Sequence, residues 1–304
     1  MALKCMVWDF DSDVTLTEFA TNIKDCAVAA GWTLYDTLVQ TVGTITNPPS
    51  LNAEVAWVVS KDFSQVDDPG EGYTDETLYV KIRALYYSSN WYILLTTYED
   101  WNTTTHTGTN PCTQSTYSYG VSHTYQLAGT LCVSAGDKHL FVTMKDMAGT
   151  WATYSHIVGG FDRHSYDTLD LNAAGDADLQ KSIRTYLWNT YNTSLYAARV
   201  GGLTQQAVWY YSAPTAGIGD HVNSVILRPM EGSINGKDPD VSAQTVIYAL
   251  GYMSGLKSVL AEGADQLIIT APGTQFPNTT SPEWMVFKSG VAVEWCTPNF
   301  TVSE

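Results

Sequence analysis

Basic residues are scarce in this chain. It carries 15 Lys and Arg against 31 Asp and Glu, a formal net charge of −16 with a pI near 4.5. A chain so acidic has no electrostatic footprint for nucleic acid or for an anionic membrane surface, and direct contact with either is not expected. Charge of either sign is thin, at 15% of residues where an average domain carries about 25%. No window approaches the roughly 18 to 20 continuous apolar residues of a membrane span. The opening MALKCMVWDFDSD has early acids and no apolar stretch, so it is not expected to act as a signal peptide, and assembly in the cytoplasm is the corresponding expectation. The cysteines Cys5, Cys26, Cys112, Cys132 and Cys296 include no CxxC and no His at metal-ligand spacing. A Cys112–Cys132 bridge would need an oxidising compartment, so all are expected to be reduced. The phosphate cradle GxxxxGK[ST], the dinucleotide fingerprint GxGxxG and the nucleophile elbow GxSxG are all missing. No cofactor, metal or enzymatic activity is therefore expected.

What fills the space left by charge is aromatic and hydroxyl-bearing. There are 10 Trp and 19 Tyr among 304 residues, with abundant Thr, Ser and Gly, and the apolar fraction of 44% is enough to build proper cores. Such a surface suits a protein whose faces are occupied by neighbours, although β-rich proteins favour Tyr, Trp and Thr in any case.

The clearest pattern is LYVKIRALYYSSNWYILLTTYEDW, Leu78 to Trp101. Leu78, Val80, Ile82, Ala84 and Tyr86 alternate with Lys81 and Arg83, which predicts a half-buried strand. Ser88-Ser89-Asn90 is a turn-forming run. The next strand is apolar on both faces, so it must be covered on both sides. This hairpin is expected at the centre of a sheet.

Before it, Thr15-Leu16-Thr17-Glu18 is a capping-box pattern, and Leu16, Phe19, Ile23, Cys26, Ala27 and Ala30 recur at helical spacing up to Gly31. Glu54 to Val59 reads as a further strand. Beyond it, residues 102–134 read as a long uncharged excursion, of the kind usually functional. Leu140 to Met144 and Trp151 to Ile157 form a second hairpin closed by Gly159-Gly160. Leu179, Ile183 and Leu187 suggest a helix over 176–191. Strand signals follow at Ala207 to Tyr211, Val222 to Pro229, Gln244 to Tyr252, Trp284 to Phe287 and Val291 to Trp295. The fold class is α+β, predominantly antiparallel sheet or sandwich with an N-terminal amphipathic helix and few others. Any division falls between residues 165 and 200. Taken at 165, it leaves a helix-plus-sheet domain in 1–165 and a β-rich one in 166–304.

Three constellations carry chemical hints. Asp11-x-Asp13-x-Thr15 resembles the nucleophile motif of haloacid-dehalogenase-type phosphohydrolases, in which Mg²⁺ sits between carboxylates. The chain lacks the βαβ alternation that places this motif at a sheet edge, and the helix is capped at Thr15. Asp9, Asp11 and Asp13 also imitate a calcium loop, but Val14 stands where the loop needs glycine and Ala20 where it needs a bidentate acid. The acids are better read as neighbours of the positive helix N-terminus. His156 to His164 gathers two His, Asp162 and Arg163 into what reads as a solvent-facing turn. Trp91, Tyr92, Tyr98, Trp101, Trp151, Tyr154, Trp209, Tyr210 and Tyr211 could form a sugar-stacking platform, which keeps a glycan partner open.

A helix ending in Gly31-Trp32, the hairpin LYVKIRALYYSSNWYILLTTYEDW, the later HLFVTMKDMAGTWATYSHIVGGFDR and the distant Leu227-Arg228-Pro229 together resemble structural proteins of tailed bacteriophage virions. The resemblance covers residues 12–165, with only the Leu-Arg-Pro echo beyond. It implies a neck, tail or baseplate component, assembled in the host cytoplasm into the virion, whose partners are other virion proteins and copies of itself in a symmetric oligomer. The expected contact regions are the 102–134 excursion and the segment around Asn299. The candidate interface residues are Trp101, Thr103, His106, Tyr117, Tyr119, Tyr125, Asn299 and Phe300. The alternatives are a peripheral receptor- or glycan-binding module and, third, a phosphohydrolase using Asp11 and Asp13.

Overall fold

A computed structural model describes residues 3–37, 50–63, 76–109, 111, 121–137, 139–148, 152, 154–163, 184–190, 196–200, 207–211, 222–229, 251–259, 268–270, 283–287, 291–296 and 298–302. The elements, in chain order, are β1 (Lys4–Phe10), α1 (Leu16–Ala29), β2 (Thr33–Asp36), β3 (Glu54–Phe63), β4 (Glu76–Tyr87), β5 (Asn90–Tyr98), β6 (Asp100–Asn102), β7 (Thr107–Thr109), β8 (Val121–Thr124) and β9 (Gly129–Ala135). They continue with β10 (His139–Asp146), β11 (Tyr154–Arg163), β12 (Arg184–Thr190), β13 (Tyr196–Val200), β14 (Ala207–Tyr211), β15 (Val222–Pro229), β16 (Gly251–Val259), β17 (Ile268–Thr270), β18 (Glu283–Phe287) and β19 (Val291–Trp295).

The strands form two main antiparallel sheets. One has five strands in the order β2-β3-β4-β5-β8, which puts the β4–β5 hairpin at its centre as its pattern requires. Its turn has Ser88 at φ 49° and Ser89 at φ 66°. Two successive left-handed residues make the two-residue connection whose twist matches the flanking strands. The other sheet has twelve strands in the order β1-β9-β10-β11-β12-β13-β14-β15-β16-β19-β18-β17. The end of β11, Phe161 to Arg163, also pairs with β16, so the six strands from β11 to β16 close into a ring.

Helix α1 lies between the sheets, against β3 and β4 on one side and β1 and β9 on the other. Its ends are specified locally. Thr15 Oγ1 accepts from the Glu18 amide at 3.2 Å while Glu18 Oε2 accepts from the Thr15 amide at 2.7 Å. At the other end Gly31 takes φ 91°, the Gly31 amide donates to Val28 O at 2.9 Å and the Trp32 amide to Ala27 O at 3.1 Å. That is the six-to-one, five-to-two pairing of a Schellman stop, which glycine makes without Cβ strain. The face so positioned, Leu16, Phe19, Ala20, Ile23, Cys26 and Ala27, is wholly buried, each large apolar side chain contributing roughly 1.5–3 kcal/mol. It joins Met6 and Phe10 of β1, the inward residues of β3 to β5, and Leu131, Val133, Leu140, Val142, Met144 and Val158 in one core.

Three readings are corrected. The 102–134 stretch is not an excursion: it contains β7, β8 and β9, and every residue of β9 is buried between β1 and β10. Residues 184–190, read as helix, are strand β12. The 156–163 segment is no solvent-facing turn but strand β11, which runs through Gly159 and Gly160. His156 is fully buried, and its Nδ1 accepts from the Leu95 amide of β5 at 3.5 Å. Of the strand signal at 244–252, only the last residues belong to β16 and the rest lies outside the described residues.

Candidate functional site

Among the described residues, the most developed polar assembly sits on the outer face of the five-stranded sheet. It begins with a bulge: Leu34 faces Val59 but Asp36 faces Val58, so one extra residue enters β2. Bulges re-aim side chains, and here the Asp36 carboxylate is buried. Its Oδ2 accepts from Trp101 Nε1 at 2.8 Å and from His106 Nδ1 at 2.8 Å. Because a carboxylate only accepts, Nδ1 carries the imidazole proton.

Trp101 and His106 belong to the small β6–β7 hairpin, which they pin to the sheet. Asn102 Oδ1 accepts from the amides of Thr104 at 2.8 Å and Thr105 at 3.0 Å, and the Thr105 and Thr107 hydroxyls bond at 2.8 Å. His106 takes φ 55°, a left-handed turn position that histidine adopts more readily than most residues. Gly108 lies so close over Tyr98 that an added Cβ would fall 2.2 Å from its ring and 2.8 Å from that of Trp101. The tip is therefore rigid at its base while Asn102, Thr103, Thr104, Thr105 and Thr107 stand exposed.

Beneath the hairpin, Arg83 grips Glu54 with two bonds, Nε to Oε1 at 3.0 Å and Nη2 to Oε2 at 2.6 Å, and Lys81 Nζ lies 3.5 Å from Oε1. Burial alone would raise the Glu54 carboxyl, but Arg83 and Lys81 together outweigh it and hold it below the ordinary carboxylate range. Burial, with Arg83 adding to it, lowers Lys81 against the pull of Glu54. Burial and the neighbouring Tyr35 push the Tyr79 hydroxyl up to about 12. A cleft of about 600 Å³ opens between Lys81, Tyr98, Trp101, His106, Gly108 and Pro111. Lys81, which lines it, is paired with Glu54.

The expected interface residues divide accordingly. Thr103 is exposed at the tip and His106 is partly exposed, whereas Trp101 is buried and serves as the anchor. Tyr125 packs edge-on against Trp91 and Tyr86, with ring centroids 4.8 and 5.1 Å away. Asn299 and Phe300 bind β1 of their own chain, their amides donating to Cys5 O at 3.1 and 3.2 Å. Tyr117 and Tyr119 lie outside the described residues. Of the rings read as a sugar platform, Tyr92 is half-buried and lies beside Tyr87, their ring centroids 6.4 Å apart. Trp91 and Trp101 are buried, and the Tyr98 face is covered by Gly108. Trp151 and the side chains of Tyr154, Trp209, Tyr210 and Tyr211 lie outside the described residues.

The residues of the phosphohydrolase lookalike are engaged in local structure. Its strand, β1, is an antiparallel edge strand paired to β9. Asp11 Oδ1 accepts from the Asp13 amide at 2.8 Å, Thr15 is engaged with Glu18, and Asp9 accepts from Thr130 Oγ1 at 2.6 Å. Among the described residues no group of three His, Cys, Asp or Glu is placed to hold a metal ion. Cys132 is a free thiol buried in β9, so it is not bridged to Cys112.

One constellation has no signature in the sequence. Ser134 Oγ lies 3.1 Å from His139 Nε2, and His139 Nδ1 lies 3.8 Å from Glu294 Oε2, the order of a hydrolytic triad. Its hydrogen-bond directions are wrong for catalysis. Ser134 spends its only proton on the Glu294 carbonyl at 2.6 Å, so Nε2 must donate to the hydroxyl and cannot take a proton from it. Ser134 and His139 are also buried. The group ties β9, β10 and β19 together.

Comparison with known proteins returns no match, neither to a protein-family model nor to a curated protein nor to a solved structure.

Proposed function

We propose that this chain is a structural protein of a tailed bacteriophage virion, working through protein–protein contacts in the neck, tail or baseplate and not through catalysis. The observation that carries the reading is the β6–β7 hairpin, an exposed hydroxyl-rich tip held by the buried Asp36–Trp101–His106 assembly. A tip already ordered loses little conformational freedom when a partner covers it, which favours its use as a contact element. Beneath it the Glu54 carboxylate is held by Arg83 and Lys81 of its own chain, as suits a scaffold. The resemblance of the β4–β5 hairpin and the 139–163 segment to virion proteins points the same way.

The test is light scattering and electron microscopy of the purified chain, alone and with candidate neighbouring virion proteins. The wild type is expected to form a closed oligomer or to enter tail-like particles. Thr103→Lys with Thr104→Lys should abolish this while leaving the melting temperature unchanged. A wild type that stays a 33.4 kDa monomer throughout, or a double variant that assembles normally, overturns the proposal.

A further inference from the structure

The first strand and the end of the chain are bound to each other more closely than the proposed function requires. The Cys5 amide donates to Asn299 Oδ1 at 3.0 Å and Asn299 Nδ2 donates to Leu3 O at 3.0 Å, so the last segment lies along the outer edge of β1. Within this seam are two thiols. The Cys296 amide donates to Cys5 Sγ at 3.1 Å, and Cys296 Sγ donates to Leu3 O at 3.7 Å. The Cys5 thiol in turn donates to Ser134 Oγ at 3.8 Å. Cys5 is fully buried and Cys296 partly exposed. A disulfide needs Cα atoms about 4.4–6.8 Å apart, and an amide resting on the opposing sulfur is consistent with that separation.

We propose that Cys5 and Cys296 are a cross-linking site, a staple that closes in an oxidising medium and covalently fastens the chain's end to β1. The oxidant is a low-molecular-weight disulfide of the glutathione type. The accessible Cys296 thiolate attacks it, forms a mixed disulfide and expels one thiolate. Cys5 then loses its proton, attacks the Cys296 sulfur and expels the second thiol. Two protein thiols and one small disulfide become one protein disulfide and two small thiols. Burial, and then the neighbouring Cys296, push the Cys5 thiol up, so the second step is the slow one. The competing partner is Cys26 of α1, a buried thiol whose Sγ donates to Lys4 O at 3.8 Å.

The full chain is incubated with oxidised glutathione, alkylated, digested without reduction and analysed by mass spectrometry. A peptide linking Cys5 to Cys296 is expected. A melting temperature higher by roughly 5 °C or more should accompany it, since the bond closes nearly the whole chain into a loop, and dithiothreitol should reverse both. Cys296→Ser should lose the link and the shift, and Cys26→Ser should keep both. A link through Cys26, a glutathione adduct that persists on Cys296 with Cys5 still alkylatable, or the lack of any link overturns the proposal.

Discussion

Acid should weaken this fold through one imidazole. His139 is buried under Gly136, where an added Cβ would fall 2.3 Å from its ring, and burial lowers its pKa from 6.5 to about 4. The groups facing it are Ser134 and the Glu294 carboxylate. The latter, at 3.8 Å and partly in water, is too far for the hydrogen bond that would stabilise a cation. The folded state therefore holds His139 neutral while the unfolded chain takes up a proton. Stability is complete above about pH 6.5 and declines as the pH falls towards 4, by ~1.4 kcal/mol per unit and about 3 kcal/mol in all. Glu54 acts in a lower window. Its carboxyl is depressed, so its contribution is present above the usual carboxylate pKa and is lost as pH falls through the folded value. The assay is urea unfolding of the wild type and His139→Gln at intervals from pH 7.5 to 4. Glutamine keeps an N–H for Ser134 but does not titrate. The wild-type stability should fall more steeply than the variant's between pH 6.5 and 4, the carboxylates cancelling in the difference. Parallel curves would refute the reasoning, whatever the absolute stability of the variant.

Two further predictions test the local devices. Thr15→Ala removes the acceptor of the Glu18 amide and should cost about 1 kcal/mol in chemical denaturation, whereas a cost below the error of the measurement would mean that packing alone holds the start of α1. Gly108→Ala forces a methyl into the Tyr98 ring and should release the β6–β7 hairpin. Hydrogen exchange should rise at residues 99–109 while β4 and β10 stay protected, and unchanged exchange would show that the hairpin is not held by this contact.

The limits of what can be read along the chain are visible at β9 and β12. The sequence of β9, GTLCVSA, passes for the end of an uncharged, hydroxyl-rich loop although Leu131, Val133 and Ala135 alternate with Thr130, Cys132 and Ser134. It is nonetheless a buried strand, its polar side chains satisfied from afar by Asp9 and the Glu294 carbonyl. Around β12 it is the spacing of apolar residues that misleads: Leu179, Ile183 and Leu187 keep helical intervals, yet 184–190 is drawn into the sheet by β11 and β13.

By itself the sequence determined the capping box at Thr15, the stop at Gly31, the turn at Ser88-Ser89 and the central hairpin. Each is specified by residues only a few positions apart, so a local pattern is enough to record it. The tertiary structure alone decided the candidate site and the staple. Asp36 meets Trp101 and His106 across 65 and 70 residues, Ser134 meets Glu294 across 160, and Cys5 meets Cys296 across 291. Such contacts exist only once the sheets have brought distant strands together, and no local periodicity records them.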